Sequence, residues 1–242
     1  MPRQSLERLA PSAALIGADD QITSIDRADV DETLLIEMRI LELLTTRLCH
    51  ELSGPVAAIN NGIELLDEDL EAGTPTGPAF VRDAVALVSD SAHRARNRLQ
   101  FYRFAYGFSR LGASTGPAPH ELAAALFSAR SITFDYAESA RTMSPHWQKL
   151  ACNLLPVGAD ALPRGGRLEV SANPLTIEAA GDAAALTAEA HAALMLTLPI
   201  TEVTARTVQP YFTGLLAKIL GGRLIVTAEP GRVRLTAIAS GI

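Results

Sequence analysis

The chain has 242 residues, a formal net charge of −6, and 48% hydrophobic but only 5% aromatic residues. This length and composition predict one or two helix-rich globular domains and exclude a disordered chain. The acidic balance argues against nucleic acid as a partner. No stretch has the roughly 20 apolar residues of a membrane span, and none starts like a signal peptide, so we expect a cytoplasmic protein with no membrane partner.

The first 30 residues show no sustained periodicity and predict a poorly ordered arm, residues 1–30. A helix is predicted from Asp31, as its N-cap, to Asp69. Pro55 lies inside it and should bend it just after His50. Its apolar stripe recurs at the helical period: Leu48, Leu52, Ile59, Ile63 and Leu66.

A turn-rich segment, residues 71–78, separates this helix from a second one that ends near Tyr106. Two long amphipathic helices joined by a short turn predict an antiparallel hairpin, residues 31–108. A hairpin cannot bury its own apolar stripes. Pairing two copies into a four-helix bundle would bury them, which predicts a homodimer; the alternative is that the second domain covers the stripe.

A Gly- and Pro-rich linker, residues 109–119, leads into a mixed pattern of helices and strands. We predict helices over 120–130, 145–162, 183–194 and 208–220, and strands over 131–136, 167–172, 175–179, 195–199, 223–228 and 233–239. Helices on one face of a mixed sheet make a two-layer α/β sandwich, residues 119–242. The fold class is therefore α+β, a dimerising hairpin followed by a sandwich.

Two cysteines, Cys49 and Cys152, lie too far apart for a disulfide framework, and we predict reduced thiols. With the five histidines of the chain they form no metal-ligand spacing. We predict no metal or cofactor site in this chain.

His50 is the most informative residue of the first helix. It lies two positions from both Leu48 and Leu52, about 200° around the helix from each, and so faces away from the apolar stripe. A neutral imidazole at pH 7 has a free lone pair that can attack phosphorus. His50 is therefore a candidate phospho-acceptor, although a lone histidine is more often an ordinary exposed residue.

Two neighbours of His50 are candidate catalytic residues. Glu51 could orient the imidazole or accept a proton, and Arg47 could neutralise a phosphoryl group. Small side chains on the same face leave room for another protein to approach, although they serve tight helix packing equally well. The candidate docking residues on this face are Ser53, Gly54, Ala57 and Asn61.

The sequence His50-Glu51-Leu52 with Pro55 resembles the H-box of sensor histidine kinases. The chain is more similar to the ChpT-type histidine phosphotransferases of alphaproteobacteria, over roughly residues 40–235. The similar stretches are residues 47–51, 55–66, 98–101, 105–107, 161–166 and 207–211.

This resemblance implies a homodimer with one phospho-acceptor per chain, here His50, and a sandwich that resembles a degenerate histidine-kinase ATP-binding domain. It implies relay of a phosphoryl group from the receiver domain of a hybrid kinase to response regulators of the cell cycle. Mg²⁺ would be supplied by the receiver. Arg98, in a similar stretch of the basic second helix, is a candidate for receiver docking. Gly54 stands where phosphatase-active kinases usually carry Thr or Asn, which puts that activity in doubt.

The kinase pattern for ATP binding is degraded. Aligned from Asn153, the position expected to hold the magnesium-binding Asn is Val157, and the expected basic residue is Asp160. Valine cannot ligate Mg²⁺, and a carboxylate would repel a triphosphate. We therefore predict a transferase that does not use ATP. The alternatives are an ATP-dependent sensor kinase and a non-catalytic dimer that docks regulators.

Overall fold

The computed structural model describes residues 27–71, 77–107, 116–128 and 131–239. Most of the predicted arm, most of the turn and most of the linker lie outside the described residues. The chain divides into two compact units, residues 1–37 and 38–242. Both predicted domains contribute to the second unit, and their boundaries stay a prediction.

The hairpin consists of helix α1 (Arg27–Glu71) and helix α2 (Pro78–Tyr106). Asp31 lies inside α1, so its prediction as the N-cap is wrong. Arg27 and Ala28 are good helix formers, which lets the helix begin earlier. α1 continues across Pro55, and the bend predicted there stays a prediction.

The two helices approach closely at Gly62. A Cβ atom built on this residue would lie 2.6 Å from Cγ2 of Val88. Only glycine therefore fits between α1 and α2 at this level without a shift of the Val88 side chain or of a helix.

The rest of the described chain is α/β. Its elements are helices α3 (Pro119–Phe127), α4 (Glu138–Arg141), α5 (Pro145–Asp160), α6 (Ala188–Leu194) and α7 (Val208–Ile219), and strands β1 (Ile132–Tyr136), β2 (Gly166–Ser171), β3 (Leu175–Ala180), β4 (Gly222–Glu229) and β5 (Arg232–Ala239). The five strands form one sheet in the order β1-β2-β3-β5-β4. Only β1 and β2 are parallel.

One face of the sheet is covered. Alternate side chains of β2, β3 and β5 are buried, and α5, which packs on these strands, is buried from Leu150 to Ala159. Burial with a period of two means that helices cover one face only. The predicted α+β class, with an N-terminal helical region and a two-layer sandwich, is confirmed; the dimeric bundle stays a prediction.

Gly165 and Gly166 join α5 to β2 by a tight turn. Both have positive φ, and a Cβ on Gly165 would lie 2.1 Å from the carbonyl oxygen of Ser131. That same oxygen accepts a hydrogen bond from the Gly166 amide at 3.0 Å. The turn brings β2 alongside β1 and requires glycine.

The predicted strand at residues 195–199 is wrong. α6 ends at Leu194, Leu196 has a φ of +57°, and a short 3-10 turn follows at Ile200–Glu202. A left-handed residue cannot continue an extended strand, so residues 195–199 form an irregular, partly exposed connection. α6 begins only at Ala188, after Thr187 accepts a hydrogen bond from the Ala190 amide. Helix α4 was not predicted.

The C-terminal part of α2 belongs to the same hydrophobic core as the sandwich. Phe101, Tyr102 and Ala105 are buried in one cluster with side chains of α3, α5 and the sheet. Phe101 and Tyr102 are therefore core residues where α2 meets the sandwich. Within the described residues, no helix combines the length and apolar character that crossing a membrane requires.

Candidate functional site

His50 is exposed on α1 and lines an open cavity of about 420 Å³. The other lining residues are Glu51, Ser53 and Gly54 from α1 and Arg98 from α2. The helical phase predicted from the sequence therefore brings His50 to the surface, as expected. The cavity has open space at Gly54, because no heavy atom lies within 4 Å of a Cβ built on this residue.

Ser53 does not direct its hydroxyl proton into this cavity. Its Oγ donates to the carbonyl oxygen of Cys49 at 2.8 Å, a bond along the helix itself. The two remaining candidate docking residues, Ala57 and Asn61, are exposed further along α1 and do not line the cavity.

Glu51 and Arg98 form an ion pair at the cavity wall. Arg98 Nη1 lies 3.3 Å from Glu51 Oε2 and also donates to the Glu51 backbone carbonyl. Both side chains are largely buried, with 27% of Arg98 and 20% of Glu51 exposed. This pair fixes α2 against α1 beside His50 and places a guanidinium group in the cavity.

The guanidinium of Arg47 pairs with Asp160 and does not line the cavity of His50. Its Nη2 donates to Asp160 Oδ2 at 3.2 Å, and its side chain is only 12% exposed. Burial lowers the pKa of Arg47, but the charge of Asp160, with smaller contributions from two tyrosines and Glu51, leaves the pKa above its ordinary value. Arg47 lines a second cavity, of about 300 Å³, with Val157 and Asp160. The structure therefore does not bring Arg47 to the His50 cavity.

A buried polar network joins the hairpin to the sandwich at the level of Arg47. Asn153 Nδ2 donates to the carbonyl oxygen of Ala105 at 2.8 Å, and Gln209 Nε2 donates to Asn153 O at 3.0 Å and to Asn153 Oδ1 at 3.3 Å. Tyr106 Oη donates to Gln209 Oε1, and burial foremost raises the pKa of Tyr106 well above its usual range. Thr213 Oγ1 completes the network with a 3.1 Å bond to Asn153 O.

Sequence reasoning did not identify this network. Residues 207–211 were identified only as one of the similar stretches, yet Gln209 among them is fully buried. The signal available was that Asn153 interrupts an otherwise apolar run on α5. A buried amide requires hydrogen-bond partners, but the sequence does not indicate which residues supply them.

The residues aligned with the kinase nucleotide site have other neighbours here. Asn153 is fully buried with its amide in the network, and Val157 is buried. Asp160 is paired with Arg47. Among the described residues, no group of three or more His, Cys, Asp or Glu side chains is arranged to hold a metal ion.

Comparison with known proteins assigns the chain to a protein family. Residues 119–232 match the family of histidine phosphotransferase C-terminal domains. Protein phosphotransferase ChpT of Brucella abortus (strain 2308) is 35% identical over 196 residues, covering 77% of this chain and 88% of that protein. The chain belongs to the histidine phosphotransferase family. It is therefore a transferase whose function is phosphotransfer within a phosphorelay.

A solved structure agrees with this assignment. A bacterial phosphotransferase superposes with a TM-score of 0.68 at 30% identity, over 83% of this chain and 96% of that chain. The resemblance recognised from the H-box and the other similar stretches is thereby confirmed.

Proposed function

We propose that His50 is the phospho-acceptor of a relay. It takes a phosphoryl group from a receiver-domain aspartate of a hybrid kinase and passes it to a receiver aspartate of a response regulator. The observation that carries this proposal is the exposure of His50 in an open cavity on a rigid helix, in a chain of the phosphotransferase family. Such transfer depends mainly on positioning and charge neutralisation.

The step balances without a further reactant. The lone pair of one imidazole nitrogen forms the N–P bond while the P–O bond of the aspartyl phosphate breaks. The carboxylate leaves with that electron pair, and the second ring nitrogen keeps its proton. Mg²⁺ on the receiver would neutralise the phosphoryl oxygens during the transfer.

We propose further that this chain does not charge His50 with ATP. Asn153 directs its amide to backbone oxygens, buried Val157 offers no oxygen ligand, and Asp160, which stands where the kinase pattern has a basic residue, is paired with Arg47. A valine cannot hold the magnesium of a triphosphate, and a carboxylate in place of a cation removes an attraction for its phosphates. These three residues support a sandwich that serves as a scaffold.

A homodimer is part of this proposal. Large hydrophobic side chains remain exposed along both hairpin helices: Met38, Leu41, Val56, Ile63, Val81, Val85 and Leu99. Exposed apolar side chains that recur at helical spacing on two long helices are typical of a helical-bundle interface. Ile63→Glu with Val85→Glu should convert a dimer to a monomer in light scattering, and a wild-type monomer would contradict the proposal.

The relay is tested by a transfer time course with a radiolabelled phosphorylated receiver. The wild-type protein should acquire label, and His50→Gln should not. His146→Gln, which removes an exposed histidine from the start of α5, is the matched control and should be labelled like the wild type. Label on His50→Gln would refute the assignment, and receiver binding without any transfer would indicate a docking dimer.

A parallel incubation with labelled ATP and no receiver tests the second part of the proposal. We expect no label on the protein within the time in which the receiver charges it fully. Rapid labelling by ATP would show an ATP-dependent kinase.

A further inference from the structure

The cation that faces His50 is on the neighbouring helix. Arg98 reaches from α2 into the cavity that His50 lines. Arg47 lies one helical turn before His50, but its guanidinium is paired with Asp160 and lines the other cavity. A phosphoryl group on His50 would therefore form beside Arg98.

We propose that Arg98 binds the phosphoryl group carried by His50 and exchanges part of its pairing with Glu51 to do so. This inference rests on the proposed function of His50. It gives Arg98 a role in the chemistry, where sequence reasoning had assigned it to docking and had assigned charge neutralisation to Arg47.

The charges of the cavity require such a partner. A phosphoryl group adds about two negative charges at pH 7, in a cavity that Glu51 also lines. In the unphosphorylated protein, Arg98 balances Glu51 across 3.3 Å. Without a shared cation, phosphorylated His50 would face a like charge in the same cavity, which disfavours the phosphorylated state.

The geometry of Arg98 allows it to serve both groups. One terminal nitrogen, Nη1, makes both contacts to Glu51, to the carboxylate and to the backbone carbonyl. A guanidinium has five N–H donors in a planar fork that suits phosphate oxygens. Arg98 can therefore keep its bond to the Glu51 backbone while another N–H turns to the phosphoryl oxygens.

The consequence is an equilibrium property. Arg98 stabilises phosphorylated His50 relative to the aspartyl phosphate of the receiver, so it sets how the phosphoryl group divides between the two proteins. The N–P bond forms and the P–O bond breaks as described above, and Arg98 supplies charge without exchanging a proton.

The test compares three variants of α2. Arg98→Gln keeps an N–H donor for the Glu51 carbonyl but removes the charge, and Arg98→Lys keeps the charge. Arg96→Gln is the matched control, because Arg96 is exposed on the same helix and does not line the His50 cavity. Each is mixed with a phosphorylated receiver, and the ratio of phosphorylated His50 to phosphorylated receiver is measured at equilibrium, together with receiver affinity.

Arg98→Gln should shift the ratio toward the receiver by about tenfold to a hundredfold, the range expected when a charge-assisted hydrogen bond is lost. Arg98→Lys should recover much of this shift, and Arg96→Gln should stay within about twofold of the wild type. An unchanged ratio in Arg98→Gln, or a change only in receiver affinity, would overturn the inference. If the wild type itself takes no label, the proposed function has failed instead.

A second measurement needs no folded Arg98→Gln protein. The wild type is phosphorylated with phosphoramidate, and the arginine side-chain N–H signals are recorded by NMR, with Arg98→Lys identifying the Arg98 signal. That signal should move on phosphorylation while the Arg96 signal stays in place. A stationary Arg98 signal on phosphorylated protein would overturn the inference.

Discussion

The buried network around Gln209 predicts a large and specific loss of stability on Gln209→Met. Methionine has nearly the volume of glutamine, so the core stays filled while the amide is removed. The hydroxyl of Tyr106 then loses Gln209 as its acceptor, and Asn153 Oδ1 loses Gln209 as its donor. All three residues lie where the hairpin meets the sandwich, so the loss falls on that junction.

The magnitude follows from the Tyr106 hydroxyl and Asn153 Oδ1, because the other two atoms that Gln209 Nε2 contacts, Asn153 O and Thr213 Oγ1, remain bonded to each other. Each buried group without a partner costs about 1–3 kcal/mol, so the variant should lose about 2–6 kcal/mol of unfolding free energy. For a unit of about 200 residues this lowers Tm by roughly 5–20 °C. The assay is urea unfolding followed by circular dichroism, with a thermal scan in parallel.

A double-mutant cycle with Tyr106→Phe tests the reasoning. Because the two side chains share one hydrogen bond, the double variant should cost less than the sum of the single variants by about 1 kcal/mol or more. Tyr211→Phe, which removes a hydroxyl from the helix that carries Gln209, is the control. Its loss of unfolding free energy should add to that of Gln209→Met without coupling. Strict additivity of Tyr106→Phe and Gln209→Met would refute the reasoning.

Three further changes test the site and the core. Gly54→Leu should leave Tm within about 3 °C of the wild type, because no heavy atom lies within 4 Å of the added Cβ. The leucine side chain should fill the cavity of His50 and slow phosphotransfer at least about tenfold. Transfer at the wild-type rate would show that the receiver does not approach there. Gly158→Ala places a Cβ 2.9 Å from Leu168 Cδ1 and should lower the unfolding free energy by about 1–3 kcal/mol in urea titration, through overpacking between α5 and the sheet; an unchanged urea midpoint would contradict this. Burial raises the pKa of the Cys152 thiol. Above about pH 8.5 the unfolded state therefore loses the thiol proton while the native state keeps it, and the free energy of unfolding falls by about 1.4 kcal/mol per pH unit. Cys152→Ala should remove that slope between pH 8.5 and 10, and parallel pH profiles for the two proteins would contradict the burial argument.

Much of the fold was predictable because the signals are local. The apolar period of α1 and α2 follows from the sequence, and the hairpin, the sandwich and most element positions agree with the structure. The failures have local causes too. The apolar run at residues 195–199 predicts a strand only if the backbone is extended, and the left-handed conformation of Leu196 cannot be identified from side-chain types.

The sequence by itself determined the outward position of His50 and the family of the chain. The position of His50 follows from residues close together on one helix, where 100° per residue fixes relative direction, and the family follows from short motifs spread over residues 47–211. Which arginine stands beside His50 was decided only by the tertiary structure. Arg47 is nearest along the chain but is drawn to Asp160, while Arg98 arrives from α2 through its pair with Glu51. Helical phase gives the face of one helix, but the partner on the next helix depends on how the two helices pack.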